Sequence, residues 1–212
     1  MKTRYFIINS FMRSGNIFLQ RAIACYSPIF TIIKDGIDYE DPQVGVHTMH
    51  IPHIIGHEDL MTVTILRDPY ECIASLIYMK NARTVAGISD NEVDQLANEY
   101  AEYLDKVEES FYQDNFMAIS FDKLVSNPVD TLNEIFEKFG MIPNSGVELT
   151  KEEIYETVLK RLEEEGLMDK ARGHMPRTKD PIRNSTDKYI KTLDLIIDPV
   201  FKRYQKLLKM IG

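Results

Sequence analysis

Short apolar runs that do not alternate with polar residues recur over residues 4–8, 29–33, 62–66 and 116–120, each bounded by turn formers. A strand with one wet face would alternate, so these runs predict strands buried on both faces. Apolar residues return at helical spacing over 17–26, 70–79, 91–112, 129–139, 151–165 and 187–209. Strands alternating with helices predict an α/β fold, a three-layer sandwich in which a central parallel sheet is flanked by helices. Local punctuation agrees with the period. Asn127 followed by Pro128 reads as an N-cap with proline at the first helical position, and Gly140 as the glycine that stops the same helix.

With 212 residues the chain fits one domain, taken as 1–212, with helical segments at about 82–112 and 144–170 on the side that would receive a second substrate. Two of the helical stretches, 91–112 and 151–165, are strongly acidic and read as solvated faces. No apolar run approaches the roughly 20 residues that a membrane span needs. The opening MKTRYFIINS is too short in apolar residues for a secretory signal, so the chain is expected in the cytoplasm. Cys25 and Cys72 each sit inside an apolar helical pattern and are expected as reduced core thiols. The formal charge of −8 argues against nucleic acid as a partner and confines any polyanion site to a local basic pocket.

Four stretches carry candidate chemistry. The first is FMRSGNIFLQ, residues 11–20, where the first strand must turn into a helix. Backbone N–H groups at such a turn converge on one point and the helix dipole adds positive character, so an anion is accommodated without many glycines. Gly15 allows close approach, Ser14 offers a hydroxyl and Arg13 a permanent charge. A plain turn capped by Ser14 is the alternative. The second is ILRDPYECIAS, residues 65–75, which places Arg67 at the carboxyl end of a strand and Ser75 eight residues later in the following helix. There the alternative is that Arg67 pairs with Asp68 or a neighbouring carboxylate while Ser75 merely packs.

The third stretch, HTMHIPHIIGHED, holds His47, His50, His53 and His57. Pro52 interrupts any continuous helix, which disfavours a metal site, whereas a histidine neutral near pH 7 suits proton removal from a hydroxyl. The fourth, KARGHMPRTKDPIR over residues 170–183, is a basic loop in an otherwise acidic chain and reads either as a clamp over an anion or as a solvated connector.

In order and spacing these stretches together resemble the sulfotransferases that use 3′-phosphoadenosine 5′-phosphosulfate (PAPS). FMRSGNIFLQ is similar to that family's 5′-phosphosulfate loop, Pro-Lys-Ser-Gly-Thr-Thr-Phe/Trp-Leu, with Arg13, Ser14, Gly15, Phe18 and Leu19 at matching positions. ILRDPYECIAS resembles its 3′-phosphate element, with Arg67 and Ser75 at the family spacing. Phe121, in FMAISFDKLVSNPVDTLNEIFEKFG, falls where an aromatic residue lies near the adenine. His50, in MHIP, resembles the histidine of Thr-His-Leu-Pro that serves as base, and Arg177 and Lys179 fall in the basic loop that closes on the 3′-phosphate. Met12, Arg13 and Asn16-Ile17 depart from the family's proline, lysine and Thr-Thr pair.

The resemblance implies a P-loop NTPase-like fold and transfer of a sulfuryl group from PAPS to a hydroxyl or amine, leaving adenosine 3′,5′-bisphosphate (PAP). His50 would be the base and Arg13 would meet charge on the leaving group. The donor would be held by Arg13, Ser14, Gly15, Asn16, Ile17, Phe18, Arg67, Ser75, Phe121, Arg177 and Lys179, with no metal. Glu58 is the second candidate for the base, because other branches of the family use a glutamate. The acceptor is expected to be a small molecule, glycan, lipid or peptide. Two other readings stand beside this one: a P-loop kinase or NTPase, although Gly-Lys-Ser/Thr is missing, and a nucleotide-binding module without transfer chemistry.

Overall fold

A computed structural model describes residues 5–26, 31–32, 45–80, 89–141, 150–166, 190 and 193–211. Five strands, β1 (Tyr5–Asn9), β2 (Thr31–Ile32), β3 (Gly45–Met49), β4 (Leu60–Leu66) and β5 (Phe116–Ser120), make one sheet in the order β2-β3-β1-β4-β5. All four pairings are parallel. The seven helices among the described residues are α1 (Asn16–Tyr26), α2 (Pro69–Lys80), α3 (Asp90–Ser110), α4 (Phe121–Ser126), α5 (Pro128–Phe139), α6 (Lys151–Glu164) and α7 (Asp194–Ile211). A short 3₁₀ turn spans Pro52–Ile54.

Burial on both faces explains the unbroken apolar strands. Phe6, Ile8, Val63, Ile65 and Ile119 pack against α1, α4, α5 and α6 on one face. Leu66, Phe116 and Ala118 pack against α2, α3 and α7 on the other. The result is the expected three-layer sandwich. It differs from the sequence reading in three respects. β3 was not anticipated, because GVHTM is neither an apolar run nor clearly alternating; its pairing with β1 is what makes it a strand. The six-residue helix α4 was also missed. Finally, α3 and α6, expected together on the acceptor side, lie on opposite faces of the sheet and contribute to different core layers.

Capping residues act as the sequence suggests. Asn127 accepts from the N–H of Asp130 with Pro128 in the first turn, and Gly140 ends α5 in the left-handed region at φ 63°. Ser89 caps α3, whose buried stripe runs Val93, Leu96, Ala97, Tyr100, Tyr103, Leu104 and Val107. The charged residues of α3 fall mainly on its solvated face.

The order of strands locates the crevice. The chain leaves β1 toward β3 on one side, while β4 and β5 lie on the other, so β1 sits where the winding reverses. At such a point the loops beyond the carboxyl ends of neighbouring strands diverge and leave room for a ligand.

Candidate functional site

The loop from Ser10 to Gly15 follows β1 at this point. Arg13 at φ 70° and Gly15 at φ 98° both take left-handed backbone, which turns the chain sharply enough for α1 to begin at Asn16. Gly15 is required twice over: its φ suits glycine, and an added Cβ would lie 3.0 Å from Cε2 of Phe121. At the first turn of α1 the N–H groups of Ile17 and Phe18 have no acceptor four residues back, so they face the loop together with the positive end of the helix dipole. The Phe18 ring itself is core, tilted against Tyr155 at 5.0 Å. Ser14 is fully buried, and its hydroxyl turns inward to the Cys72 sulfur at 3.5 Å; it neither caps α1 nor presents its oxygen to the crevice. Burial pushes the Cys72 thiol up to about 11, so it stays protonated.

Arg67 emerges from the end of β4, the strand beside β1, and meets the same loop. Its Nη1 donates to the carbonyl of Arg13 at 2.7 Å, and its guanidinium lies 4.1 Å over the ring of Phe121. Arg13 Nε donates to Ser75 Oγ at 3.2 Å. Arg13, Arg67, Ser75 and Phe121, taken from three separate stretches of sequence, therefore form one patch. The backbone of Arg67 is held by Tyr100 of α3, whose hydroxyl donates to the Arg67 carbonyl and accepts from its N–H at 3.4 Å. Arg67 also donates from Nε and Nη2 to Glu71 at 3.1 and 2.9 Å, so the carboxylate pairing foreseen as an alternative is made, with Glu71 and not Asp68. Asp68 instead caps α2, accepting from the N–H of Tyr70 at 2.8 Å.

His50 stands one residue beyond β3, with part of its surface open to solvent. Its Nδ1 lies 2.7 Å from the carbonyl oxygen of Ser10, at the start of the loop. A carbonyl only accepts, so Nδ1 carries the hydrogen and Nε2 keeps its lone pair. Crowding by the surrounding protein lowers the His50 pKa below 6.5, opposed in part by the Ser10 carbonyl, which favours the protonated ring. Asn16 Nδ2 points at the same carbonyl from 3.5 Å and lies 3.4 Å from His50 Nδ1.

The structure does not bring Glu58 to this patch. Glu58 precedes β4 and so lies at the amino edge of the sheet, about 20 Å away by the length of a seven-residue strand. His53 and His57 are exposed, and no group of three metal-ligating side chains occurs among the described residues. Arg177 and Lys179, with the rest of 170–183, lie outside the described residues. Glu71, Ser10 and Tyr100 were missed as site residues, since their relevance depends on partners distant in sequence.

A model of the sulfotransferase family matches residues 9–142, a span that takes in both loops, His50 and Phe121. The chain belongs to the sulfotransferase family. Comparison with curated proteins finds no significant match. Among solved structures this sulfotransferase is similar to mouse sulfotransferase SULT7A1 complexed with PAP, at 14% identity and TM-score 0.56, over 85% of this chain and 70% of that one. It is similar also to retinol dehydratase in complex with androsterone and the inactive cofactor PAP, at 12% identity and TM-score 0.59, over 95% and 82%. A third is the sulfotransferase domain of the Synechococcus PCC 7002 olefin synthase, at 12% identity and TM-score 0.53, over 95% and 94%. At these identities the likeness establishes the fold, which is the P-loop NTPase-like fold of sulfotransferases.

Proposed function

We propose that this sulfotransferase takes its sulfuryl group from PAPS and passes it to a hydroxyl or amine, with His50 as the base. The observation that carries the reading is the bond from His50 Nδ1 to Ser10 O, which aims the unprotonated Nε2 from the loop where Arg13 and Arg67 gather positive charge. The donor set suits a nucleotide with two anionic ends: one arginine and a helix N-terminus at the loop, a second arginine with an aromatic face beside it. PAPS would supply the activated sulfur–oxygen bond.

His50 Nε2 takes the proton from the acceptor as its oxygen or nitrogen bonds to sulfur. The bond from sulfur to the bridging oxygen breaks, and the electron pair leaves with the 5′-phosphate of PAP. Arg13 and the first N–H groups of α1 meet the charge that develops on that oxygen. Arg67 binds the 3′-phosphate and Phe121 gives a surface for the base, together with Ser75, Arg177 and Lys179; fixing the donor in register is the larger share of catalysis. The chain is proposed to work as a single domain. Calorimetric titration with PAP tests the donor: saturable heat at micromolar to millimolar concentration is expected, and none at millimolar PAP sinks the reading. A Mg²⁺-dependent response to ATP in place of PAP would restore the kinase reading.

A further inference from the structure

The carboxamide of Asn9 performs a task that the reaction scheme leaves open. Asn9 is the last residue of β1, and its register partner is Met49, the last residue of β3, so the ladder between these strands ends just before His50. Beyond that point the Asn9 side chain replaces the ladder. Its Nδ2 donates to the carbonyl of Ile51 at 2.6 Å, and the N–H of Ile51 donates to its Oδ1 at 3.0 Å. Both backbone groups of the residue after His50 are thus paired with one side chain, as a neighbouring strand would pair them. The clamp is itself anchored. Asn9 is fully buried, its carbonyl accepts from Thr64 Oγ1 at 2.7 Å, and Tyr103 of α3 donates to Oδ1 at 3.4 Å.

The structure assigns Asn9 the part of a positioning residue that sets the direction and tautomer of His50 by clamping Ile51 to the end of β1. His50 is bracketed between Met49, held by the ladder, and Ile51, held by Asn9; within that bracket its Nδ1 reaches Ser10, the residue next to Asn9. Without the clamp, this exposed segment would keep the ring–carbonyl bond and the long bond from the N–H of Ile54 to the Ile51 carbonyl at 3.4 Å, neither of which fixes the Ile51 N–H. Asparagine suits the position by chemistry: aspartate lacks the donor, serine lacks the reach, and only a carboxamide offers donor and acceptor side by side at that distance. The inference rests on the reading of His50 as the base.

The test is a long-range ¹H–¹⁵N correlation spectrum of histidine-labelled protein, run beside PAP calorimetry. The wild type should show His50 as the Nδ1–H tautomer. In Asn9→Ala the ring should populate both tautomers while PAP affinity stays within about twofold. Once an acceptor is in hand, kcat should fall about tenfold with KM for PAPS unchanged, the signature of a displaced base. Tyr103→Phe, which keeps the ring packing, should shift the tautomer balance in the same direction by less. An Nε2–H tautomer in the wild type overturns the assignment. So does an unchanged tautomer in folded Asn9→Ala, or, if that variant does not fold, in Tyr103→Phe. A loss of PAP affinity that parallels the tautomer change also overturns it, since the role would then be general support. If the wild type fails to bind PAP while the tautomer responds to Asn9→Ala, the donor reading falls and the clamp stands.

Discussion

The two edges of the sheet are closed by the same device to different ends. At the amino edge Asn115 donates from Nδ2 to the carbonyls of His57 and Leu60 at 2.7 and 2.8 Å, and Gly56, at φ 78°, lies where an added Cβ would overlap the Ser110 hydroxyl. Hydrogen bonds there are made within the turn and strand starts, and among the described residues no arginine joins them. At the carboxyl edge Asn9 makes the equivalent clamp on Ile51, but around it stand two arginines, a histidine with one committed nitrogen and the amino end of α1. The amino edge spends its polar groups on holding the chain. The carboxyl edge holds the chain while gathering two arginines and a histidine whose Nδ1 is committed to Ser10 beside the start of α1.

That contrast can be broken experimentally, and the largest effect falls at His50. His50→Ala should lower kcat by about 10²–10⁴ with PAP affinity retained. Because burial lowers the His50 pKa and only the neutral ring takes a proton, the wild-type rate should rise with pH through a value below 6.5 and level off above it. A turnover profile across pH 5–8 checks this, and an acid limb that survives in His50→Ala would assign it elsewhere. Next in size is Arg67→Ala, which removes charge-assisted bonds and the stack on Phe121 together. PAP affinity should drop by about 10–100-fold in calorimetry.

Asn115→Ala sharpens the comparison from the other edge. It removes two bonds to the carbonyls of His57 and Leu60, of which His57 keeps its bond from the Leu60 N–H at 3.0 Å, and should cost about 1–3 kcal/mol in urea unfolding, with PAP affinity untouched. An affinity loss in that variant would show that the edges are coupled. The smallest effect is expected from Glu71→Gln. Its half-exposed carboxylate pairs with Arg67, so neutralising it should raise PAP affinity by about two- to fivefold, the scale of a solvent-screened ion pair. A weakened affinity would instead make Glu71 an orienting partner of the arginine.

Which parts of this were legible depends on how far each residue's partners lie along the chain. β1, β4 and β5 were readable because burial on both faces leaves uninterrupted apolar runs, and α5 because its N-cap and terminating glycine are local. The loop at Arg13–Gly15 and Arg67 stood out because each sits at a junction between elements, where a polar residue needs a reason; His50 stood out among four histidines only through the resemblance of MHIP to Thr-His-Leu-Pro. Ser14 shows the limit: a hydroxyl at a helix start reads as a cap or an anion donor, yet packing against α2 turns it to Cys72. By the resemblance His50 came first as the base and Glu58 second. Only the unanticipated β3 separates them, placing His50 at the carboxyl edge and leaving Glu58 at the other.

The sequence by itself determined the layer order, the strand-to-helix turns that face a ligand and the charges available there, because periodicity, capping and turn chemistry act within a few residues. Tertiary structure alone decided which groups meet: Arg67 with the carbonyl of Arg13, Asn9 with Ile51, and Nδ1 of His50 with Ser10. Those partners are separated by roughly 40–55 residues, and a hydrogen bond between them forms only after the parallel ladder of β3, β1 and β4 has set their register. The tautomer of the proposed base is therefore a property of the sheet, written into no local motif.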